Sequence, residues 1–264
     1  MSDRPTEGSV EPVLEFHHLS KTFGGLVALN DVSGVIPERQ MTALIGSNGA
    51  GKTTLVNLIS GFIAPDTGSV FHRGVDITGR APHQIARLGV ARTFQDLRLF
   101  AQMTVLDNVM AAFPGQRGER IDELFGRWFA VDRQERALRR RAMDLLEFVG
   151  LAHKRRSVAS NLSYGQQKRL ALARVLATES EVLMLDEPSA GLDPEAVQEM
   201  GNLIRRLIGE GKTICLIEHN LDLVRSHADW VIGMGQGEIL VQDVPDVAFE
   251  NEDLIGSYIT GGGS

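Results

Sequence analysis

Apolar residues alternate with polar ones near the start of the chain. Val13-Leu14-Glu15-Phe16 and Gln40-Met41-Thr42-Ala43-Leu44-Ile45 predict strands, the second running into a glycine-bearing turn. A helix is expected behind that turn, over Lys52 to Ser60. Gly68 to Asp76 and Gly89 to Phe94 read as further strands, which makes the first 95 residues β-rich. From Thr104 the period lengthens: Val105, Val109 and Ala112 share a helical face, and Leu138, Ala142, Leu145 and Val149 repeat at the same spacing. Pro114 to Gly118 breaks this helical stretch. Another helix is expected from Ser163 to Ala177, followed by the nearly continuous apolar run Glu181 to Asp186, the pattern of a strand buried in a parallel sheet. Asp193-Pro194 pairs a cap with a first-turn proline at the head of a helix to Ile208, which Gly209 and Gly211 end. Thr213 to Ile217 is a second buried strand, so the order is α/β with right-handed crossovers.

Composition narrows the class. With 264 residues, 43% of them hydrophobic and 23% charged, the chain can bury a sizeable core and does not belong with disordered or fibrous sequences. The net charge of -7 argues against a general nucleic-acid binder. Between Arg117 and Arg156, however, 11 basic residues outnumber 7 acidic ones, leaving 16 against 27 elsewhere. Cys215 is the single cysteine, which excludes an intramolecular disulfide or a multi-cysteine metal cage and points to a reducing compartment. The first twelve residues are polar, with no apolar stretch that reads as a signal peptide or a membrane span. Any work at a membrane is therefore expected to use a partner's anchor.

The strand-to-helix turn carries the first chemistry. Gly46, Ser47, Asn48, Gly49, Ala50, Gly51, Lys52 and Thr53 fit GxxxxGK[ST], with Thr54 following. Glycines let backbone N–H groups face phosphate oxygens, the helix N-terminus adds positive potential, Lys52 reaches the β- and γ-phosphates, and the Thr53 hydroxyl is offered to Mg²⁺. A nucleotide site also needs acid at the end of a neighbouring strand. Asp186 is placed to hold Mg²⁺ through water, and Glu187 to take a proton from the attacking water.

With these residues in place, the sequence resembles the ATPase subunits of ATP-binding cassette transporters. Leu162-Ser163-Tyr164-Gly165-Gln166 is similar to that family's LSGGQ signature, Gln95 to its Q-loop, Ser189 to Asp193 to its D-loop, and His219 to its switch histidine. The resemblance implies a P-loop NTPase core with an N-terminal antiparallel β region, formed by residues 1–95 and 161–260. It also implies a helical subdomain insert over 96–160; the glycine-rich composition of Gly261 to Ser264 reads as a flexible tail. The resemblance further implies that ATP and Mg²⁺ bind, with Gln95 on the metal or its water and His219 donating to the γ-phosphate. Phe23, before Gly24-Gly25, matches the aromatic that stacks on adenine, without the hydroxyl of the frequent tyrosine. Ser163, Gly165 and Gln166 then form a second anion site that grips the γ-phosphate held by another subunit, so a complete site needs two chains. Tyr164 departs from the commoner glycine of the signature.

Several stretches resemble one branch, the ATPases of branched-chain amino acid importers: Lys21 to Leu26, Ala91 to Phe100 followed by Met103-Thr-Val, Leu162 to Arg169, and Ile217 to Asn220. The expected partners are a second ATPase subunit, transmembrane permease subunits and a separate substrate-binding protein, with no nucleic acid. The expected location is peripheral, on the cytoplasmic face of the inner membrane. Related ATPases for urea or lipopolysaccharide share much of this pattern. Soluble members of DNA repair or chromosome organisation form a rival class, but these usually carry long coiled-coil insertions, and residues 96–160 lack a sustained heptad. The arginines of 133–141 read first as a solvated helix face, with Glu135 and Arg139 at i,i+4 spacing. Met143, Trp128 and Cys215 read as packing, and none of His17, His18, His72, His83, His153 and His227 reads as a metal ligand.

Overall fold

The computed structural model describes residues 11–93, 96–115 and 128–261. The chain divides into two compact units, one of Met1–Arg92, Glu181–Ala190 and Val197–Ser264, the other of Thr93–Ser180 and Gly191–Ala196. In the first unit β1 (Pro12–Phe23) and β2 (Leu26–Pro37) make an antiparallel hairpin through Gly24-Gly25, both at positive φ. A central strand, β3 (Met41–Gly46), follows, with α1 (Lys52–Ile59) behind it. Next, β4 (Thr67–His72) pairs with β1 and turns through Arg73-Gly74 into β5 (Val75–Asp76). The single strand expected over Gly68 to Asp76 is therefore a tight hairpin, because Arg73 at φ 48 and Gly74 at φ 73 reverse the chain. Together these strands form an antiparallel sheet in the order β2-β1-β4-β5.

After α2 (Pro82–Arg87) comes β6 (Val90–Arg92), shorter than the strand expected to Phe94. With β7 (Val182–Asp186), β8 (Thr213–Ile217), β9 (Trp230–Gly235) and β10 (Glu238–Asp243) it completes a six-stranded sheet ordered β10-β9-β3-β8-β7-β6. Only β10 runs antiparallel to its neighbour. Every residue of β3, β7 and β8 is buried, which explains their unbroken apolar runs. Successive β3 side chains supply opposite faces: Leu44 joins a cluster with Leu55, Ile59, Met184 and Ile217, while Ala43 and Ile45 join one with Val231 and Leu254.

The second unit holds α3 (Val105–Met110), α4 (Trp128–Phe148) and α5 (Tyr164–Ala177). Thr104 caps α3 by accepting the Asp107 N–H at 3.1 Å. Ala142, Leu146 and Val149 are buried, whereas Met143, expected in the core, is only half-buried because it faces one position round from that stripe. The Trp128 side chain lies outside the described residues. Arg139 meets Glu135 at 3.7 Å on an exposed face, as the spacing predicts.

Asp193 caps α6 (Pro194–Gly209), accepting the Ala196 N–H at 2.9 Å. The remaining helices, α7 (Leu221–His227), α8 (Pro245–Ala248) and α9 (Glu252–Gly261), belong to the first unit. Leu254 of α9 is buried against Gly233, where an added Cβ would come within 2.8 Å of its side chain. Gly261 closes α9, and residues 262–264 lie outside the described residues.

Candidate nucleotide-binding site

Strand β3 delivers the chain to the glycine loop. Gly46 sits at φ 148, and a Cβ there would stand 2.2 Å from the Met234 carbonyl oxygen. Gly51, at φ 97, would bring a Cβ within 2.7 Å of the Ala28 carbonyl oxygen. A side chain at either position would hit rigid backbone, so the turn admits only glycine. Helix α1 begins directly after Gly51 with no side-chain cap, which leaves its first-turn N–H groups for an anion. The buried Lys52 ammonium donates to the carbonyl oxygens of Gly46 at 2.8 Å and Ser47 at 2.9 Å. Burial holds the Lys52 pKa below its ordinary value, against the opposing pull of Glu187 and Asp186.

Adjacent parallel strands place the acid and the histidine. Because β7 and β8 pair with Asp186 opposite Ile217, their C-terminal loops emerge side by side. Glu187 turns out of β7 at φ 48, its N–H donating to the Ile217 carbonyl at 3.0 Å. Its carboxylate Oε1 lies 3.1 Å from His219 Nε2. Asp186 has a different partner: its Oδ2 accepts from Arg92 at 2.8 Å, with both side chains buried. The same guanidinium donates to Asn57 Oδ1 on α1.

These pieces enclose a cavity of about 550 Å³, within the usual range for small-molecule sites. Asn48 to Thr54 line one wall, Glu187, Ile217 and His219 another, and Phe23 with Leu26 to Ala28 the edge. Phe23 is 47% exposed, with the Lys21 ammonium 5.6 Å from its ring centre. Gly46 and Ser47 form the root of the loop, and Asp186 is not among the lining residues. Gln95 lies outside the described residues. Gln236, in the β9–β10 turn, also lines the cavity, and the neighbouring Gly237 N–H donates to Ala50 O at 3.2 Å. Nothing in the sequence near Gln236 marks it for this site; its Gln-Gly pair signals only a hairpin turn.

Ser163 and Gln166 form a reciprocal cap at the head of α5. The Ser163 hydroxyl accepts the Gln166 N–H at 3.3 Å, and the Ser163 N–H donates to Gln166 Oε1 at 3.2 Å. The half-exposed Tyr164 packs against Gly191, where a Cβ would meet its ring at 3.0 Å, and Leu192 lies 3.4 Å from a Cβ built on Gly165. A tyrosine in the signature is thus accommodated beside Gly191.

The ABC transporter family pattern matches residues 29–190, more than half of the chain. The chain belongs to the ABC transporter family. It is 40% identical to the high-affinity branched-chain amino acid transport ATP-binding protein LivG of Salmonella typhimurium over 250 residues, covering 94% of this chain and 98% of LivG. It is 39% identical to BraF of Pseudomonas aeruginosa, a protein of the same description, with the same coverage. Among solved structures, the ADP conformation of an ATP-binding cassette of an ABC transporter aligns with a TM-score of 0.82 and 32% identity, covering 94% of this chain and 98% of that one. The sequence-level resemblance and the α/β cassette fold are therefore correct, and this ABC ATPase binds ATP. No helix among the described residues is long and apolar enough to cross a membrane.

Proposed function

We propose that this ABC ATPase is the ATP-hydrolysing subunit of an importer for branched-chain amino acids, working on the cytoplasmic side of the membrane against transmembrane permease subunits. The observation that carries the catalytic reading is the 3.1 Å contact between Glu187 and His219 at the wall of the phosphate-loop cavity. The cargo rests on the likeness to LivG and BraF at 40% and 39% identity over nearly full length.

ATP enters with its base on Phe23 and its phosphates along the loop, where Lys52 exchanges the Gly46 and Ser47 carbonyls for β- and γ-phosphate oxygens. His219 Nε2 then donates to the γ-phosphate rather than to Glu187. Freed from that contact, the Glu187 carboxylate accepts the proton of the attacking water. Mg²⁺ would supply charge neutralisation at the phosphates. Thr53, exposed in the cavity, is the side chain that would hold it; Asp186, which does not line the cavity and accepts from Arg92, would act only through water, as the resemblance also implies for Gln95. Ser163, Gly165 and Gln166 of a second ATPase subunit complete the γ-phosphate site, so two chains close over two nucleotides. By the same family resemblance, Gln95 would couple the γ-phosphate to the permease.

Glu187→Gln tests the chemistry: turnover should fall by about 10²–10⁴ while ATP affinity holds, leaving an ATP-trapped dimer. Wild-type turnover would remove Glu187 from the reaction. Affinity capture from detergent-solubilised membranes should recover permease subunits and an amino-acid-binding protein. Capture without them, with ATPase activity stimulated by DNA, would favour the soluble class.

A further inference from the structure

Glu218 is a buried carboxylate that the mechanism above does not use. It is 2% exposed, stands one residue past β8, and its own N–H donates to Leu44 O of β3 at 3.3 Å. Both of its oxygens accept main-chain donors from two different loops. Oε1 takes the Ser189 N–H at 3.0 Å, and Oε2 takes the N–H groups of His219 at 3.2 Å and Asn220 at 3.3 Å. Ser189 is itself buried and lies two residues past Glu187.

We propose that Glu218 is a positioning residue that ties the loop after β7 to the loop after β8 and thereby sets Glu187 against His219. The two loops need such a tie. Glu187 is held at φ 48, a left-handed conformation that persists only where the surroundings over-determine it. On one side its turn is closed by Ala190 N–H to Glu187 O at 3.2 Å, and on the other by the Glu218 bond to Ser189. His219 is held by the same carboxylate through its own amide. A buried carboxylate whose oxygens each satisfy main-chain N–H groups makes strong, charge-assisted bonds, and losing one leaves a buried donor unsatisfied. The two loops therefore move together or not at all. A shift of the Ser189 segment is transmitted through one rigid side chain to the histidine and the base.

This inference rests on the reading of Glu187 and His219 as reacting groups. The test is Glu218→Gln, which keeps the shape but turns an NH₂ group toward main-chain donors. Its turnover should fall by about 10²-fold, the usual cost of misplacing a reacting pair, while ATP affinity, measured with a fluorescent analogue, holds. The Ser189 and His219 amides should exchange with deuterium at least about tenfold faster, as expected for loss of a charge-assisted bond. Glu218→Asp, which restores the carboxylate with a shorter reach, should recover part of the turnover, and it carries the test if the Gln variant does not fold. In a His219→Ala background, Glu218→Gln should cost little more. Wild-type turnover in Glu218→Gln, an equal loss of affinity and turnover, or full additivity with His219→Ala would overturn the proposal. Glu187→Gln and His219→Ala run alongside: if both hydrolyse ATP normally, the underlying site reading fails, and if only Glu218→Gln is silent, the tie alone fails.

Discussion

Replacing Arg92 by Met removes the guanidinium beside Asp186 and keeps the stem that fills its place. The contact is 2.8 Å, and the two side chains are 5% and 7% exposed, so solvent does not screen it as it would a surface pair. Removing one partner of such a pair leaves an uncompensated buried charge, which costs about 3–5 kcal/mol. Asn57 loses a donor in the same step, and the Phe62 ring loses the cation 5.9 Å from its centre. At roughly 2–4 °C per kcal/mol for a chain of this size, nucleotide-free protein should melt about 6–20 °C lower by circular dichroism at neutral pH. Adding Asp186→Asn to Arg92→Met removes the stranded charge and should restore a substantial part of the loss. A shift below about 2 °C in the single variant, or no recovery in the double, would refute the claim that this pair is a buried, mutually dependent unit.

Ser163→Arg should leave nucleotide binding by the monomer intact and abolish ATP-driven dimers in light scattering, because bulk and like charge replace a small donor at the head of α5; persistent dimers would contradict the two-chain site. Phe23→Ala should weaken ATP binding roughly 5- to 150-fold, from a stacking loss of about 1–3 kcal/mol, with little change in maximal turnover; unchanged affinity by calorimetry would place the base elsewhere. The Cys215 thiol is fully buried, and burial pushes its pKa up to about 12. A raised thiol pKa means that the unreactive protonated form dominates at pH 8, so a disulfide reagent should label the folded chain slowly and the denatured chain at once. Rapid stoichiometric labelling of native protein would show that β8 opens.

Local structure that depends on near neighbours was legible in the residues themselves. Gly46 to Thr53 as a strand-to-helix turn and Asp193-Pro194 as a cap act over a few positions, and each stands in the structure where local spacing puts it. The apolar runs of β3, β7 and β8 were likewise readable, since a strand covered on both faces has no polar positions to mislead. The sequence pattern does not mark strands β2, β9 and β10 or helices α2 and α7 to α9: β2 pairs with β1 through several register shifts, and β10 is half-exposed along most of its length, so neither keeps a clean period. Tertiary structure alone decided the order β10-β9-β3-β8-β7-β6, because strand pairing is non-local and the adjacent strands β3 and β9 are separated by 183 residues of chain between Gly46 and Trp230. That order sets β8 between β3 and β7, and so brings His219 to Glu187. Arg92 on Asp186 and Glu218 under Ser189 follow from it, for a buried charge shows in sequence only as a residue type, while its partners are chosen by the fold.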